Sequence, residues 1–365
     1  MSFADPQPAV PAPDHTPRRG GPSHRHTPPH DPDAPSPTAA PASASATSDV
    51  VVTHWQRTGT DTYAISAQWP TANTFHTPIA DTWHDPLLAA ESLRTASLLV
   101  GQNYYGIPRG HRWVVDELDI EVVPAALLTS PGPADIRLEL ARTPDPEPDT
   151  DTDTDMGTSA GGDADAVRAS GVEGEAGAGT AMTMEAELLR DNDTFVGAGR
   201  ISLHFLPPTT HTHQRTTRPG SPRRPPTGLP PLPEALPPPV VGRLNPRDVV
   251  LASPTTRTGP ATHTWQLRID PAHPALRGQP VDHVPPMLLL EAARQAAQAV
   301  NTPYRVLPID IRATYHHPVK RHTPCTITAT SLPRHDATDH TTFHITATQD
   351  NTPHFTTVIT TAPTD

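Results

Sequence analysis

A glutamate followed three residues later by an arginine occurs in two apolar segments that lie 200 positions apart. Glu91 and Arg94 lie in HDPLLAAESLRTA (84–96), and Glu291 and Arg294 lie in VPPMLLLEAARQAA (284–297). A carboxylate can act as a general base, and the planar guanidinium of arginine suits phosphate oxygens. Both segments are otherwise apolar almost all round, so we expect these charged side chains to be buried. A buried carboxylate is costly unless it is paired or used.

Both segments are predicted to be helices, spanning about 84–100 and 285–300. Each begins near a proline, Pro86 or Pro286, which favours the first turn of a helix and is followed by good helix formers. Residues three and four positions apart share one helical face. The rows predicted in this way are Leu87, Glu91, Arg94 and Leu98 in the first helix, and Met287, Glu291, Arg294 and Gln298 in the second. The shared register predicts a duplicated domain with a functional pair of helices.

Two interpretations of each glutamate–arginine couple remain open at this point. In the first, the glutamate is a general base whose pKa burial raises toward the working pH. In the second, each glutamate forms a structural ion pair with the arginine of its own helix, because buried charges are normally paired. Repetition of the couple in both halves favours a functional role.

The composition indicates that only part of the chain can form a core. Proline accounts for 49 of the 365 residues, aromatic residues for 4%, and the mean hydropathy is −0.47. We expect a disordered proline-rich tail (1–48), a first folded unit (49–206) with a disordered acidic insertion at 145–180, a proline-rich linker (207–239) and a second folded unit (240–365).

Charge and cysteine content exclude several classes of function. Of the net charge of −12, the segment 145–175 carries −9, so the acidity describes the insertion, and the absence of a basic stripe argues against nucleic-acid binding. No apolar run approaches the roughly 20 residues that span a bilayer, and no signal peptide is visible, so we expect a cytoplasmic protein. The single cysteine, Cys325, excludes an internal disulfide, and the histidine-rich pieces lack a ligand set, so we assign no metal and no cofactor.

Alternating segments rich in Thr, Ile and Val predict antiparallel strands around the two helices. In the first unit these are TDTYAISAQWP, HRWVVDELDIEVV, DIRLELART, MTMEAELLR and TFVGAGRISLHFL, the last two forming a hairpin that turns at Asp191–Asp193. In the second unit they are THTWQLRID, LPIDIRATYHH, TPCTITATSL, TFHITATQD and FTTVITTA. The repeat extends past the helices, because LDIE (118–121) corresponds to IDIR (309–312). The pattern predicts an α+β architecture in which each sheet wraps around a central helix.

A proline-led buried helix inside a wrapped antiparallel sheet resembles the hotdog fold, and two copies in one chain resemble a double hotdog. The sequences of the two helical segments identify a more specific resemblance. HDPLLAAESLRTASLL in the first half and HPALRGQPVDHVPPMLLLEAARQAA in the second are similar to the A-factor biosynthesis (AfsA-like) family. The resemblance covers about 50–142 and 240–330.

The resemblance implies transfer of a β-ketoacyl group from acyl carrier protein to the hydroxyl of dihydroxyacetone phosphate, in the synthesis of γ-butyrolactone signals. It implies Glu91 and Glu291 as catalytic residues and Arg94 and Arg294 as substrate-binding residues. Asp282 and His283 also match the family's string, although a capping role at the start of the helix explains them equally well.

Two positions depart from the family pattern. Pro286 stands where the family usually has glycine, and Gln279 where it usually has histidine. In hotdog enzymes that glycine often offers its N–H to a thioester carbonyl, and proline has no such donor. The contact must therefore move to the N–H of Met287 or be lost.

Three rival functions follow from the same residues. A dehydratase needs a histidine fourteen residues before the glutamate, where this chain has Thr77 and Arg277, which argues against dehydration. A thioester hydrolase needs only the base and the N–H donors. A non-catalytic acyl-binding or regulatory protein is favoured by Pro286 and Gln279. Two interpretations of the basic residues Arg109, His111 and Arg112 remain open: they form a solvated loop, or they contact an acidic carrier protein. The sequence does not indicate the oligomeric state.

Overall fold

The computed structural model describes residues 50–70, 75–108, 111–143, 181–191, 193–206, 232–253, 261–271, 273, 283–333 and 339–364. The predicted tail 1–48 and insertion 145–180 lie outside the described residues, as does most of the predicted linker. Asp282 and Gln279 also lie outside them.

The first half consists of six antiparallel strands and one long helix. The strands are β1 (Val51–Arg57), β2 (Thr62–Trp69), β3 (Arg112–Val122), β4 (Ala134–Thr143), β5 (Ala181–Arg190) and β6 (Thr194–Leu206). Helix α1 (Leu87–Tyr104) lies between β2 and β3 in the chain. The order of strands in the sheet is β1-β2-β4-β5-β6-β3.

The second half repeats this arrangement. Its strands are β7 (Leu251–Ala252), β8 (Thr262–Leu267), β9 (Val306–Tyr315), β10 (Thr326–Ser331), β11 (Thr341–Gln349) and β12 (Thr352–Pro363). Helix α2 (Pro286–Asn301) lies between β8 and β9 in the chain, and the order of strands is β9-β12-β11-β10-β8-β7. Each half therefore has one long helix in the same place relative to its strands.

Strands β3 and β9 join the two halves into one sheet, which has twelve strands among the described residues. Ile120 stands opposite Ile311 and Leu118 opposite Ala313. Ile120 and Ile311 are also the third residues of the aligned motifs LDIE and IDIR. The repeat identified in the sequence is therefore an internal two-fold relation whose axis passes between these two strands.

The helices pack on one face of this sheet. Strand β4 alternates buried and exposed residues along its length, and α1 is buried over most of its surface. Leu87, Leu93 and Leu290 are fully buried. Burial of a leucine side chain contributes about 1.5–3 kcal/mol, so this shared interior stabilises both halves. The predicted α+β architecture, with a sheet around each central helix, is confirmed.

The boundaries differ from the prediction at several places. Helix α1 begins at Leu87 and continues to Tyr104, because Asp85 and Pro86 start the helix and LLVGQNY sustains it past residue 100. The edge strands β1 and β7 were not predicted, because β1 lacks an alternating burial pattern and β7 has two residues. Residues 232–239, expected in the linker, lie against the second half, where Leu236 donates its N–H to Leu251 O at 3.0 Å. Neither described helix is long and apolar enough to span a bilayer.

Candidate active site

Asp85 caps the N-terminus of α1. Its Oδ1 accepts the N–H of Leu87 at 3.0 Å, and its carbonyl oxygen accepts the N–H of Leu88 at 2.9 Å. The Asp85 side chain is fully buried. Since Pro86 has no N–H, the first donors of α1 are therefore occupied by the chain itself.

Glu291 lies at the centre of a buried polar cluster. Its carboxylate accepts Nε and Nη2 of Arg243 at 2.7 and 2.5 Å, and Nε and Nη2 of Arg294 at 2.8 and 2.9 Å. Gln295 Nε2 adds a bond of 2.6 Å to Glu291 Oε1. Arg243 also lies 3.0 Å from Asp85 Oδ2. We call these five residues, Asp85, Arg243, Glu291, Arg294 and Gln295, the closed cluster.

The closed cluster links the two halves of the molecule. Asp85 precedes α1, whereas Glu291 and Arg294 lie on α2, and Arg294 Nε lies 3.9 Å from Asp85 Oδ2. The side chains of Asp85, Glu291 and Arg243 have no solvent exposure. Two carboxylates and two guanidiniums neutralise one another, which is the condition under which buried charges are tolerated. The cluster therefore fixes the start of α1 against the middle of α2.

Arg243 reaches this cluster from the segment that precedes β7. It follows a short 3-10 helix (Pro238–Val241) and Gly242, whose φ of 69° is left-handed. Its Nη1 donates to Thr77 Oγ1 at 3.2 Å, and its guanidinium lies over the ring of Phe75. Arg294 Nη2 donates to Val241 O at 3.0 Å, which ties the same segment to α2.

The pKa of Glu291 is held well below its ordinary value of 4.5. Burial acts to raise this pKa, but the charges and hydrogen bonds of Arg243 and Arg294 outweigh burial. Our expectation that burial raises the pKa of this glutamate toward the working pH is therefore wrong. A carboxylate stabilised in its ionised form to this degree is a weak proton acceptor.

The corresponding couple on α1 is more accessible. Glu91 accepts Nε and Nη2 of Arg94 at 2.9 and 2.6 Å. The Arg94 side chain is 18% exposed, compared with 2% for Arg294. The helix-internal ion pair, the second of our two interpretations, is thus present on both helices, and the two pairs differ in exposure.

Tyr315 connects this couple with the start of α2. Its hydroxyl donates to Pro286 O at 3.2 Å, and its ring lies in the electrostatic field of Arg94. Burial raises the pKa of the Tyr315 phenol far above neutral pH despite the opposing effect of Arg94. The phenol therefore stays protonated and acts as a donor.

The start of α2 differs from that of α1 in one important respect. Leu288 donates its N–H to Pro285 O at 3.0 Å, and Pro286 has no N–H. The N–H of Met287 has no hydrogen-bond acceptor within the part of the chain that the structure describes. Met287 is 9% exposed. We call Glu91, Arg94, Met287 and Tyr315 the open cluster, because Tyr315 connects the start of α2 with an ion pair whose arginine is partly exposed.

Basic residues surround the segment that leads into α2. Arg112 Nη2 lies 3.1 Å from His283 Nδ1, and Arg321 Nε donates to His283 O at 3.1 Å. Lys320 pairs with His283 as an isolated β-bridge. The predicted site residues Met287 and His283 thus lie at the α2 start, and Glu91 and Arg94 on the neighbouring helix.

Sequence reasoning missed Arg243, Tyr315 and Gln295. Arg243 lies in a proline-rich stretch without periodicity, and Tyr315 lies in a strand. Neither carries a local signal of a functional position. Gln295 follows directly after the predicted Arg294 and is a missed part of the same motif. It accepts the N–H of Val250 at 3.0 Å and donates to Asp248 O at 2.7 Å.

Residues 43–159 and 226–365 match the sequence profile of AfsA, the A-factor biosynthesis hotdog domain. The two ranges cover more than half of the chain and include both helices. The chain belongs to the AfsA family. The double hotdog implied by the sequence is confirmed by this match and by the two wrapped helices.

Curated relatives of this AfsA-family chain carry the name 2-oxo-3-(phosphooxy)propyl 3-oxoalkanoate synthase. The relative from Streptomyces virginiae is 32% identical over 86% of this chain and 94% of its own length. The relative from Streptomyces griseus is 33% identical over 85% of this chain and 90% of its own length. The relative from Streptomyces coelicolor is 31% identical over 83% of this chain and 84% of its own length.

Among solved structures, the 12:0-ACP thioesterase from Umbellularia californica is similar with a TM-score of 0.46 and 9% identity, over 82% of this chain and 97% of that one. An acyl-ACP thioesterase from Bacteroides thetaiotaomicron gives 0.43 and 10%, over 82% and 98%. Similarities at this level support no conclusion about the activity of the AfsA-family chain.

Proposed function

We propose that this protein transfers a 3-oxoacyl group from the thioester of acyl carrier protein to the hydroxyl of dihydroxyacetone phosphate. The product is the ester after which the curated relatives are named. The observation that carries the proposal is the open cluster. The hydroxyl of Tyr315 bonds to Pro286 O in the first turn of α2, where the N–H of Met287 lies. Tyr315 also interacts electrostatically with Arg94, the partner of Glu91. We place the reaction in the cytoplasm, where carrier-bound acyl groups and triose phosphates occur.

In this mechanism the thioester carbonyl oxygen accepts the N–H of Met287. The positive end of the α2 dipole and this donor stabilise the negative charge that develops on the oxygen. The acceptor hydroxyl attacks the carbonyl carbon, so a C–O bond forms and the C–S bond breaks. Glu91 takes the hydroxyl proton and returns it to the departing thiolate.

Arg94 and Tyr315 position these groups. The two bonds from Arg94 fix the orientation of the Glu91 carboxylate. The hydroxyl of Tyr315 holds Pro286 O and thereby the first turn of α2. Because Pro286 and Met287 are adjacent, this bond also fixes the direction of the Met287 N–H.

The proposal gives Glu291 and Arg294 a structural role, although the repeat makes them equal candidates for chemistry. Three observations support this choice. The pKa of Glu291 is strongly lowered, its carboxylate has no solvent exposure, and the α1 start beside it is capped by Asp85. The open cluster has an N–H donor at the start of α2 and an arginine that is 18% exposed.

The test compares Glu91→Gln with Glu291→Gln, which make the same chemical change at related positions. Each protein is incubated with a 3-oxoacyl carrier thioester and dihydroxyacetone phosphate, and the products are identified by mass spectrometry. We expect ester formation to fall about 10²–10⁴-fold in Glu91→Gln. Glu291→Gln should lower thermal stability and, below its melting temperature, retain ester formation within a few-fold.

Other outcomes remove the proposal or change it. Undiminished ester formation in Glu91→Gln would exclude its role as base. Release of free acid by the wild-type protein, without ester, would identify a thioester hydrolase. Tight thioester binding without turnover would identify an acyl-binding protein.

A further inference from the structure

Three basic residues from two parts of the chain contact the segment that leads into α2. Arg112 begins β3, whereas Lys320 and Arg321 lie in the connection between β9 and β10. All three contact His283, through its ring, its carbonyl oxygen or its main-chain bridge. We call Arg112, Lys320 and Arg321 the basic cluster.

The contact between Arg112 and His283 brings no carboxylate to the arginine. A guanidinium only donates, so His283 Nδ1 is the acceptor in this contact. Within the described residues, neither Arg112 nor Lys320 forms an ion pair with a carboxylate. In contrast, Arg243 and Arg294 of the closed cluster are neutralised by Asp85 and Glu291. A guanidinium that is held in place without a carboxylate partner among the described residues can bind an anion.

The basic cluster contacts the segment that leads directly into the start of α2. His283 is four residues before Met287, so their main chains are at most about 14 Å apart, since an extended chain advances at most about 3.3–3.6 Å per residue. The phosphate of the proposed acceptor is carried on the same three-carbon chain as its reacting hydroxyl. The phosphate of a phosphopantetheine arm lies at the far end of a long chain from its thioester. Proximity to Met287 therefore favours the acceptor.

We infer that Arg112, Arg321 and Lys320 bind the phosphate monoester of the acceptor and select phosphorylated acceptors over neutral ones. The inference rests on the proposed function for the identity of the acceptor. The planar guanidinium of an arginine suits phosphate oxygens, and the lysine adds a further positive charge. In this arrangement Arg94 remains paired with Glu91 and orients its carboxylate, so it does not bind the phosphate.

Binding is tested separately from turnover by calorimetry with dihydroxyacetone phosphate, and with glycerol phosphate as an alternative phosphate monoester. The proteins are the full chain, Arg112→Gln, Arg321→Gln and Lys320→Gln. The control is Arg137→Gln, which removes a half-exposed arginine that pairs with Glu139 and Asp193 on β4 and the β5–β6 turn. We expect each arginine variant to bind about tenfold or more weakly, because a hydrogen bond to a charged group is lost. The exposed Lys320→Gln variant should lose less, and the control should bind as the wild type does.

Turnover supplies the second readout. In Arg112→Gln and Arg321→Gln, KM for dihydroxyacetone phosphate should rise about tenfold while kcat changes little, and acylation of unphosphorylated dihydroxyacetone should be unchanged. Equal phosphate affinity in all variants would overturn the inference. A rise in KM for the carrier thioester, with unchanged affinity for the acceptor, would overturn it as well and assign the cluster to the carrier arm. If the wild type forms no ester but phosphate binding still depends on Arg112, the proposed function fails and the phosphate site stands.

Discussion

Replacing Arg243 with methionine tests whether the closed cluster holds the two halves together. Arg243 makes three close contacts with carboxylates, two with Glu291 at 2.7 and 2.5 Å and one with Asp85 at 3.0 Å. Methionine keeps the apolar stem and removes the charge. Asp85 and Glu291 then share only Arg294 within the cluster, which leaves one negative charge uncompensated in a site without solvent exposure.

The expected loss of stability is about 3–5 kcal/mol, the usual cost of removing one partner from a buried ion pair. For a folded region of this size, roughly 2–4 °C in Tm corresponds to each kcal/mol, so Tm should fall by about 6–20 °C. The matched control is Arg94→Met, which opens the equivalent couple on α1. Because Arg94 is 18% exposed, water can solvate Glu91, and we expect a loss of about 1–2 kcal/mol.

The assay is thermal and urea-induced unfolding followed by circular dichroism at pH 7. A second variant, Arg243→Met combined with Glu291→Met, removes the uncompensated charge and should be more stable than the single Arg243→Met variant.

The pH dependence of stability is an independent test. Because the pKa of folded Glu291 is lowered, its stabilisation is present above 4.5 and declines as the pH falls below that value, so the difference between wild type and Arg243→Met should narrow there. A single variant that melts within 2 °C of the wild type, or a double variant less stable than the single, would refute this reasoning.

Two further predictions concern groups buried outside the proposed site. Burial, assisted by the charge of Arg190, lowers the pKa of His84 from 6.5 to about 4, so protonation of the unfolded chain should reduce stability as the pH falls from 6.5 toward 4. In a measurement of Tm against pH, the slope over this range should be weaker in His84→Gln than in the wild type, and the exposed His54→Gln variant is the control. An unchanged slope in His84→Gln would contradict the prediction. Burial also raises the pKa of the Cys325 thiol to about 12, so native protein at pH 8 should resist a disulfide reagent that labels one thiol per chain in guanidinium; rapid labelling of the native state would contradict this.

The repeated helices were predictable because their evidence is local. Proline, an apolar surface and a Glu–Arg couple recur at one register, and helical geometry places residues three apart side by side. The ion pair within each helix was one of the two interpretations left open, and both pairs are present. Pro286 also allowed a specific expectation, because a residue without an N–H transfers any donor role to Met287, and that N–H is available within the described chain.

The difference between the two couples was not predictable from the same pattern. It depends on Arg243, which lies 48 residues before Glu291 and in a segment whose prolines give no periodic signal. Without that arginine, burial raises the pKa of a carboxylate, and this was our expectation. The direction of the pKa shift is thus set by a long-range contact. Strand β1 was missed for a related reason, since an edge strand with little burial shows no clear alternation.

The joined sheet has a consequence for how such a molecule can change over generations. In a homodimer encoded by one copy, every substitution appears twice, so neither site can be altered without altering the other. Here β3 and β9 hold two separately encoded halves together, and each half can accept its own substitutions. One couple has become part of a fully buried ion-pair cluster, while its counterpart has kept a partly exposed arginine. Because the two halves are covalently linked, they can take different roles, whereas the two identical subunits of a homodimer cannot.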